Sequence, residues 1–323
     1  MSKPFSDYKS RNSDAFQKPK TSISLYVIIF LLAAGFLILI ALVFALSSSG
    51  WSPLFFGNGK CIAVITIDQE ISIEGASPSI FSEGNAGSEE IANLIYDINK
   101  REDIAGVLFV INSPGGGVVA TREIYSAVKE LKKPKVAYFR EVAASGGYYI
   151  SSGMDYIISD PNAITGSIGV IATFTDMSGL FDKVGLNTTA IKSGLHKDIG
   201  SPARPMTPEE RDILNSIINE TFGEFKSIVM ENRKNKLNME KFEQVLDGRI
   251  LSGRQAKEVG LVDELGSKRD AIKKVAELSG LPKDDPRTCQ IKLHEEQKGL
   301  FGLESALQGI FAHQPNKVSL KLE

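Results

Sequence analysis

Apolar positions follow three different rhythms along this chain. Residues Ile23 to Leu46 are apolar apart from Ser24 and Tyr26. At about 1.5 Å per residue, a helix over that run spans a hydrocarbon core of about 30 Å, so one transmembrane helix is expected at 23–46. From Ile62 onward the rhythm changes to short β-branched runs separated by stripes at helical spacing. Ile62–Ile67 reads as a strand, and Ser88-Glu89-Glu90 as the cap of a helix with Ile91, Leu94, Ile95 and Ile98 on one side. Strand Val107–Ile111, a helix near Thr121–Lys132, strand Val136–Phe139, a helix opening at Ser145 and strand Tyr156–Ser159 follow. Leu186 to Ile191 alternates as a strand would. Pro208–Arg233 reads as a long amphipathic helix, with Ile213, Ile217, Ile218, Phe222, Phe225, Ile228 and Val229 on the side suited to core or subunit packing. Shorter helices are expected at Ser252–Gly260 and Ser267–Leu278. Past Pro282 the chain turns polar, and 283–323 is expected to be a peripheral or mobile extension.

Strands alternating with helices predict a parallel α/β fold, assigned to one domain over 61–282. Periodicity alone does not separate a ββα spiral from a doubly wound sheet. The tail at 1–22 carries Lys3, Lys9, Arg11, Lys18 and Lys20 against Asp7 and Asp14. The positive-inside rule keeps that tail cytoplasmic and puts everything after Trp51 outside, across a linker at 47–60. Trp51, Phe55 and Phe56 suit the aromatic interface belt. Ala45-Leu46-Ser47 resembles a signal-peptidase site, but the apolar run exceeds the roughly 7–15 residues of a cleavable signal. An uncleaved anchor is therefore expected. A net charge of −2 gives no case for nucleic acid. Cys61 and Cys289 could form one disulfide in an oxidising compartment, although two free buried thiols are the expected state, and no metal-ligand spacing accompanies them.

Chemistry enters at Val142-Ala143-Ala144-Ser145-Gly146-Gly147-Tyr148-Tyr149. A serine between Ala-Ala and Gly-Gly has open space on both sides, as a nucleophile at a helix start needs. Upstream, Asn112-Ser113-Pro114-Gly115-Gly116-Gly117 can turn bare N–H groups toward a developing oxyanion. The three histidines offer no base: His294 and His313 lie in the C-terminal region, and His196 stands beside the more telling Lys197. Ser-Lys dyads are a known variant of the triad. A free lysine is charged at neutral pH, and burial away from carboxylates makes such an amine a competent base. Lys192, in the same Gly- and Ser-rich segment, is the rival. Each residue also has a plain reading: Ser145 as a small residue at a tight helix start, Lys197 as a solvated surface lysine, Ser167 as a hydroxyl satisfying its own turn. Nucleotide binding fails because no Gly-Lys-Ser/Thr and no helix-opening Gly-x-Gly-x-x-Gly is present.

Five segments in order resemble the signal peptide peptidase A family: Asn112–Gly117, Ser145–Tyr149, Thr165-Gly166-Ser167-Ile168-Gly169-Val170, Lys192–Pro202, and Asp247–Ala256 running on to Gly260–Asp263. The resemblance covers roughly 60–280 and matches the short, single-unit form. It implies a crotonase-like, Clp-protease-like ββα spiral and a serine peptidase needing no cofactor or metal. Ser145 would be the nucleophile, Lys197 the general base and Ser167 the hydroxyl orienting the amine. Gly146 with one N–H of the Gly115–Gly116 turn would form the oxyanion hole. It also implies a ring or dome of identical subunits in a bacterial cytoplasmic membrane, degrading signal-peptide remnants outside it, with serine and lysine able to come from neighbouring subunits. Site-specific cleavage of a stomatin-type membrane partner is the main alternative. A crotonase-fold acyl-CoA enzyme is a remote one.

Overall fold

The computed structural model describes residues 27–28, 30–38, 40, 59–75, 86–291 and 321–322. The chain separates into two units, Met1–Asn58 and Gly59–Glu323. In the first, residues 27–28, 30–38 and 40 are helical. Among the described residues no helix is long and apolar enough to cross a membrane. The basic tail, most of the linker, His294 and His313 lie outside the described residues.

The second unit is built on a mixed, mostly parallel sheet in the order β7-β6-β4-β2-β1-β9. Its strands are β1 (Cys61–Asp68), β2 (Ile104–Ser113), β4 (Lys135–Ala144), β6 (Ile164–Gly166), β7 (Ile250–Ser252) and β9 (Thr288–Gln290). The long β4 forks: its first half also pairs with β5 (Tyr156–Ser159), which carries β8 (Glu264–Leu265), while its second half pairs with β6. Only β6 and β7 run antiparallel in this sheet. A two-residue strand β3 (Gly116–Gly117) stands apart and pairs with β10 (Lys321–Leu322).

Why the central strands read as unbroken apolar runs follows from burial on both faces. Ala63, Ile65, Val107, Phe109, Ile111, Ala137 and Phe139 point to one side. There they meet helices α1 (Ser88–Lys100), α2 (Val118–Glu130) and α3 (Gly146–Ser152). Ile62, Val64, Leu108, Val110, Val136 and Tyr138 point to the other, against Ala271, Val275 and Ala276 of α8 (Lys268–Leu278). The remaining helices are α4 (Ser178–Val184), α5 (Pro208–Arg233), α6 (Met239–Gln244) and α7 (Gly253–Val259).

Four expectations are corrected. Cys61 and Cys289 are not free thiols but a disulfide, with Cα atoms 5.9 Å apart. The sequence hid this because their closeness depends on β9 pairing in parallel with β1, Ala63 opposite Cys289. That same strand draws residues 288–290 of the supposed peripheral extension into the sheet. Leu186–Ile191 forms no strand and is exposed throughout, having neither a pairing edge nor a core beneath it. Ser88 begins α1 without capping it: the cap is Gly87, whose N–H donates to Glu90 at 3.2 Å, and the buried Ser88 hydroxyl turns to Glu123.

Candidate active site

Strand β4 ends at Ala144 and α3 begins at Gly146, leaving Ser145 at the corner with φ 50° and ψ −116°. A positive φ at a residue with a side chain stores about 1–3 kcal/mol and persists only where the surroundings impose it. Here they do. The Ser145 N–H donates to the Gly166 carbonyl at 2.9 Å, and the Ser145 carbonyl accepts from Tyr149 N–H at 2.8 Å. All seven residues of α3 are buried. Tyr148 donates its hydroxyl to the Leu261 carbonyl at 3.0 Å, and Tyr149 donates to Glu224 at 3.3 Å. Burial pushes both phenols well up from their ordinary value, so neither serves as a base. Ser151 and Ser152 bond back to Gly147 and Tyr149 within the helix.

The glycine loop lies against this corner. The Gly115 N–H donates to Ser113 Oγ at 3.2 Å, the Gly115 carbonyl accepts from Ile71 N–H at 2.7 Å, and Gly117 N–H donates to the Ile71 carbonyl at 2.8 Å. Successive N–H groups of extended backbone point to opposite sides, so the Gly116 N–H faces away from Ile71. A β-carbon on Gly146 would lie 3.3 Å from the Gly116 nitrogen and 2.6 Å from Thr121 Oγ1. A β-carbon on Gly116 would overlap the Ile71 carbonyl at 2.0 Å. Both positions thus exclude side chains, and the amide of Gly116 is brought beside Gly146. Gly115, whose N–H is already taken by Ser113, is the weaker donor of the pair read from the sequence. The edge formed by Gly116–Gly117 also accepts an added strand, since Lys321–Leu322 pairs with it antiparallel.

Ser167 reaches the same corner through strand register. Ala144 pairs with Gly166, so Ser145 and Ser167 are the next residues on adjacent strands. Ser167 is buried, has φ 49°, and donates its N–H to the Arg249 carbonyl at 2.9 Å.

Lys197 lies in different surroundings. From Ile171 to Glu209 not one residue is buried, and Lys197 itself is exposed in a turn where its N–H donates to the Gly194 carbonyl at 3.2 Å. Ser145 Oγ is buried without a hydrogen-bond partner among the described residues, so no hydrogen bond joins it to Lys197 within the chain. Its rival Lys192 is committed as a donor, at 2.5 Å to Asp198 and 3.0 Å to the Leu195 carbonyl. His196 pairs loosely with Glu209 at 3.5 Å.

Several contributors escaped the sequence reading. Ser113 was inside the glycine motif and its hydroxyl was a signal available to be used. Ile71 acts only through its backbone and left no signal. Arg204 donates to both Asp198 and Glu210, and the Thr207-x-x-Glu210 capping pattern marked one end of that cluster. Among the described residues no group of acidic, His or Cys side chains could hold a metal.

Known proteins place the chain in a family. The model of peptidase family S49 matches residues 127–282, and the Clp protease model matches residues 80–163. A candidate protease of Methanocaldococcus jannaschii is 41% identical over 287 residues, 86% of this chain and 89% of the relative. A candidate signal peptide peptidase SppA of Enterococcus faecium is 35% identical over 218 residues, 67% of this chain and 62% of the relative. Protease 4 of Haemophilus influenzae is 32% identical over 220 residues, 67% of this chain but 34% of its own longer length. With a Clp-protease-like α/β fold carrying the site, the chain belongs to peptidase family S49, the signal peptide peptidase A family, and is a serine peptidase.

Proposed function

We propose that this peptidase is membrane-anchored and uses Ser145 as nucleophile and Lys197 as general base, with the lysine supplied by a neighbouring copy. The observation that carries the reading is the buried, unpartnered Ser145 hydroxyl on a strained corner beside the amides of Gly116 and Gly146. In the reaction, Ser145 Oγ attacks the peptide carbonyl and the neutral Lys197 amine takes its proton. Gly116 and Gly146 N–H groups hold the oxyanion. Collapse breaks the C–N bond, and the ammonium returns the proton to the leaving amine. The Lys197 amine then takes a proton from water, whose oxygen attacks the acyl ester; the C–Oγ bond breaks and the ammonium returns that proton to Ser145 Oγ, restoring both groups. Ser167, next to the serine by strand register, orients the incoming amine.

Substrates of this reading are peptides at the outer membrane face, signal-peptide remnants among them, bound extended along Gly116–Gly117. Antiparallel pairing of Lys321–Leu322 on that edge supports this binding mode. The apolar run at 23–46 supports the anchor, and the Cys61–Cys289 disulfide supports an oxidising, extracytoplasmic compartment. The exposed segment 171–209 and the exposed Ile213 and Ile217 of α5 support assembly into a ring.

The test is intact-protein mass after a serine-directed fluorophosphonate acts on detergent-solubilised wild type, Ser145→Ala and Lys197→Ala. Labelling of wild type alone is expected. Equal labelling of Lys197→Ala would remove lysine from the role of base. Specific activity should also fall steeply on dilution below the assembly's dissociation constant, and a constant specific activity would remove the neighbouring copy.

A further inference from the structure

An exposed lysine can take a defined place at a catalytic serine only if the turn that carries it is stiff. The turn at Gly194–Gly200 has no core beneath it, and its local bonds are a few backbone turns. Besides the loose His196–Glu209 pair at 3.5 Å, one side chain ties it to something rigid. Arg204 donates to Asp198, next to Lys197, from Nε at 3.0 Å and Nη2 at 2.8 Å. The same guanidinium donates to Glu210 from Nη1 at 2.8 Å and Nη2 at 2.5 Å. Glu210 is 2% exposed and lies in the first turn of the 26-residue helix α5. There it accepts from Thr207 N–H at 3.0 Å while Thr207 Oγ1 accepts from Glu210 N–H at 3.2 Å. A fork with two faces fits such a double carboxylate clamp, which a lysine's single ammonium cannot reproduce.

The clamp also governs charge. Asp198 is the carboxylate nearest Lys197 in sequence, and a carboxylate free to pair with that amine would hold it protonated and useless as a base. Arg204, and after it Lys192, keep the Asp198 carboxyl well below its ordinary range. Arg204 and the Thr207 N–H keep Glu210 down at about 2. Both acids are therefore ionised at working pH with their charge already matched.

We infer that Arg204 is a positioning residue for catalysis, clamping the Lys197 turn to the start of α5 and occupying Asp198 so that the amine stays free of a carboxylate partner. This rests on the proposed role of Lys197. The charged groups around the turn are Lys192, His196 and Asp198 on the segment itself, Arg204 in the connection, and Glu209, Glu210 and Arg211 on α5.

The experiment compares wild type, Arg204→Gln, Arg204→Lys, Asp198→Asn and Lys197→Ala as full-length chains in detergent, with steady-state peptide hydrolysis from pH 5 to 10 and mass by light scattering. Arg204→Gln should lower kcat by about ten- to a hundredfold, the scale of a base misplaced by an ångström, with KM changed less than about threefold. Its acid limb should move to higher pH, because two acids lose their counter-charge. Arg204→Lys should return the acid limb toward wild type but recover only part of kcat. Asp198→Asn, which removes the competing carboxylate, should move the limb to lower pH. Unmoved limbs in both Arg204→Gln and Asp198→Asn would overturn the inference, and so would Arg204→Gln with wild-type kcat. If Arg204→Gln fails to assemble, Asp198→Asn and Arg204→Lys decide in the same way. Lys197→Ala separates the layers: an active Lys197→Ala removes the base assignment itself, whereas an inactive one beside a normal Arg204→Gln removes only the clamp.

Discussion

Ser145 and Lys197 live in opposite environments of the same chain. The serine is held by a corner between a central strand and a wholly buried helix, with hydrogen bonds entering from Gly166 and Tyr149. The lysine stands on a segment of 171–209 in which nothing is buried, tied down chiefly by ion pairs. Strain at φ 50° can be stored only in the first environment, because a loose segment would relax it. Surface ion pairs resist solvent poorly when single and better when one guanidinium joins two carboxylates. The proposed nucleophile is thus placed by folding. The proposed base waits for its surroundings.

The sharpest way to break this contrast is mixing. Ser145→Ala and Lys197→Ala should each lose at least about a thousandfold in kcat/KM. Combined in equal amounts and reassembled, they should recover to about a quarter of wild type if serine and lysine come from different subunits of a closed ring. No recovery would put both groups in one chain.

Stability should divide along the same line. Phe225→Ala, at a fully buried position of α5, should cost about 3–5 kcal/mol in chemical denaturation. Ile217→Asp, eight residues earlier on the same helix and 42% exposed, should change subunit stability by under about 0.5 kcal/mol. It should still weaken assembly by sedimentation. A large stability loss in Ile217→Asp would erase the distinction.

A comparable effect is expected at Arg233, 1% exposed and bonded to Asp263 at 2.8 Å. Breaking such a buried pair by Arg233→Met should cost about 3–5 kcal/mol. Burial alone would raise the Asp263 carboxyl, yet hydrogen bonds and charge from Arg233, with Lys236, bring it below its ordinary value. A folded pKa below the unfolded one means the stabilisation is complete above about pH 4 and fades as pH falls through the folded value. Asp263→Asn should flatten that acid slope in a pH series of urea midpoints, and an unchanged slope would assign the acid sensitivity elsewhere.

The smallest shift in activity should follow loss of the disulfide. Cys61→Ser with Cys289→Ser should lower stability by about 2–5 kcal/mol, with turnover per folded molecule near wild type, because β9 lies at the edge of the sheet remote in strand order from β6 and β7. A turnover loss exceeding the loss of folded protein would connect that edge to the site.

Much of the buried region was legible in residue order. Strands with unbroken apolar runs, the stripe of Ile91, Ile95 and Ile98, and the small residues around Ser145 each announce a local structure that their own packing then enforces. Gly146 was readable as open space, though not the reason for it, the Thr121 hydroxyl and the Gly115–Gly116 backbone lying against it. Leu186–Ile191 misled because alternation is only half of what makes a strand. The other half is an edge to pair with, which local composition does not contain.

The amino-acid order by itself determined the α/β alternation, the small-residue motif around Ser145 with its glycine loop upstream, and the peptidase family, because these depend on local periodicity and on short contiguous motifs. Tertiary structure alone decided the forked β4, the Cys61–Cys289 bond across 228 positions, the approach of the Gly116 nitrogen to Gly146, and the contrasting burial of Ser145 and Lys197. Each of these is a matter of which distant segments meet, and that is settled by burial and backbone pairing summed over the whole chain rather than by any one stretch of it.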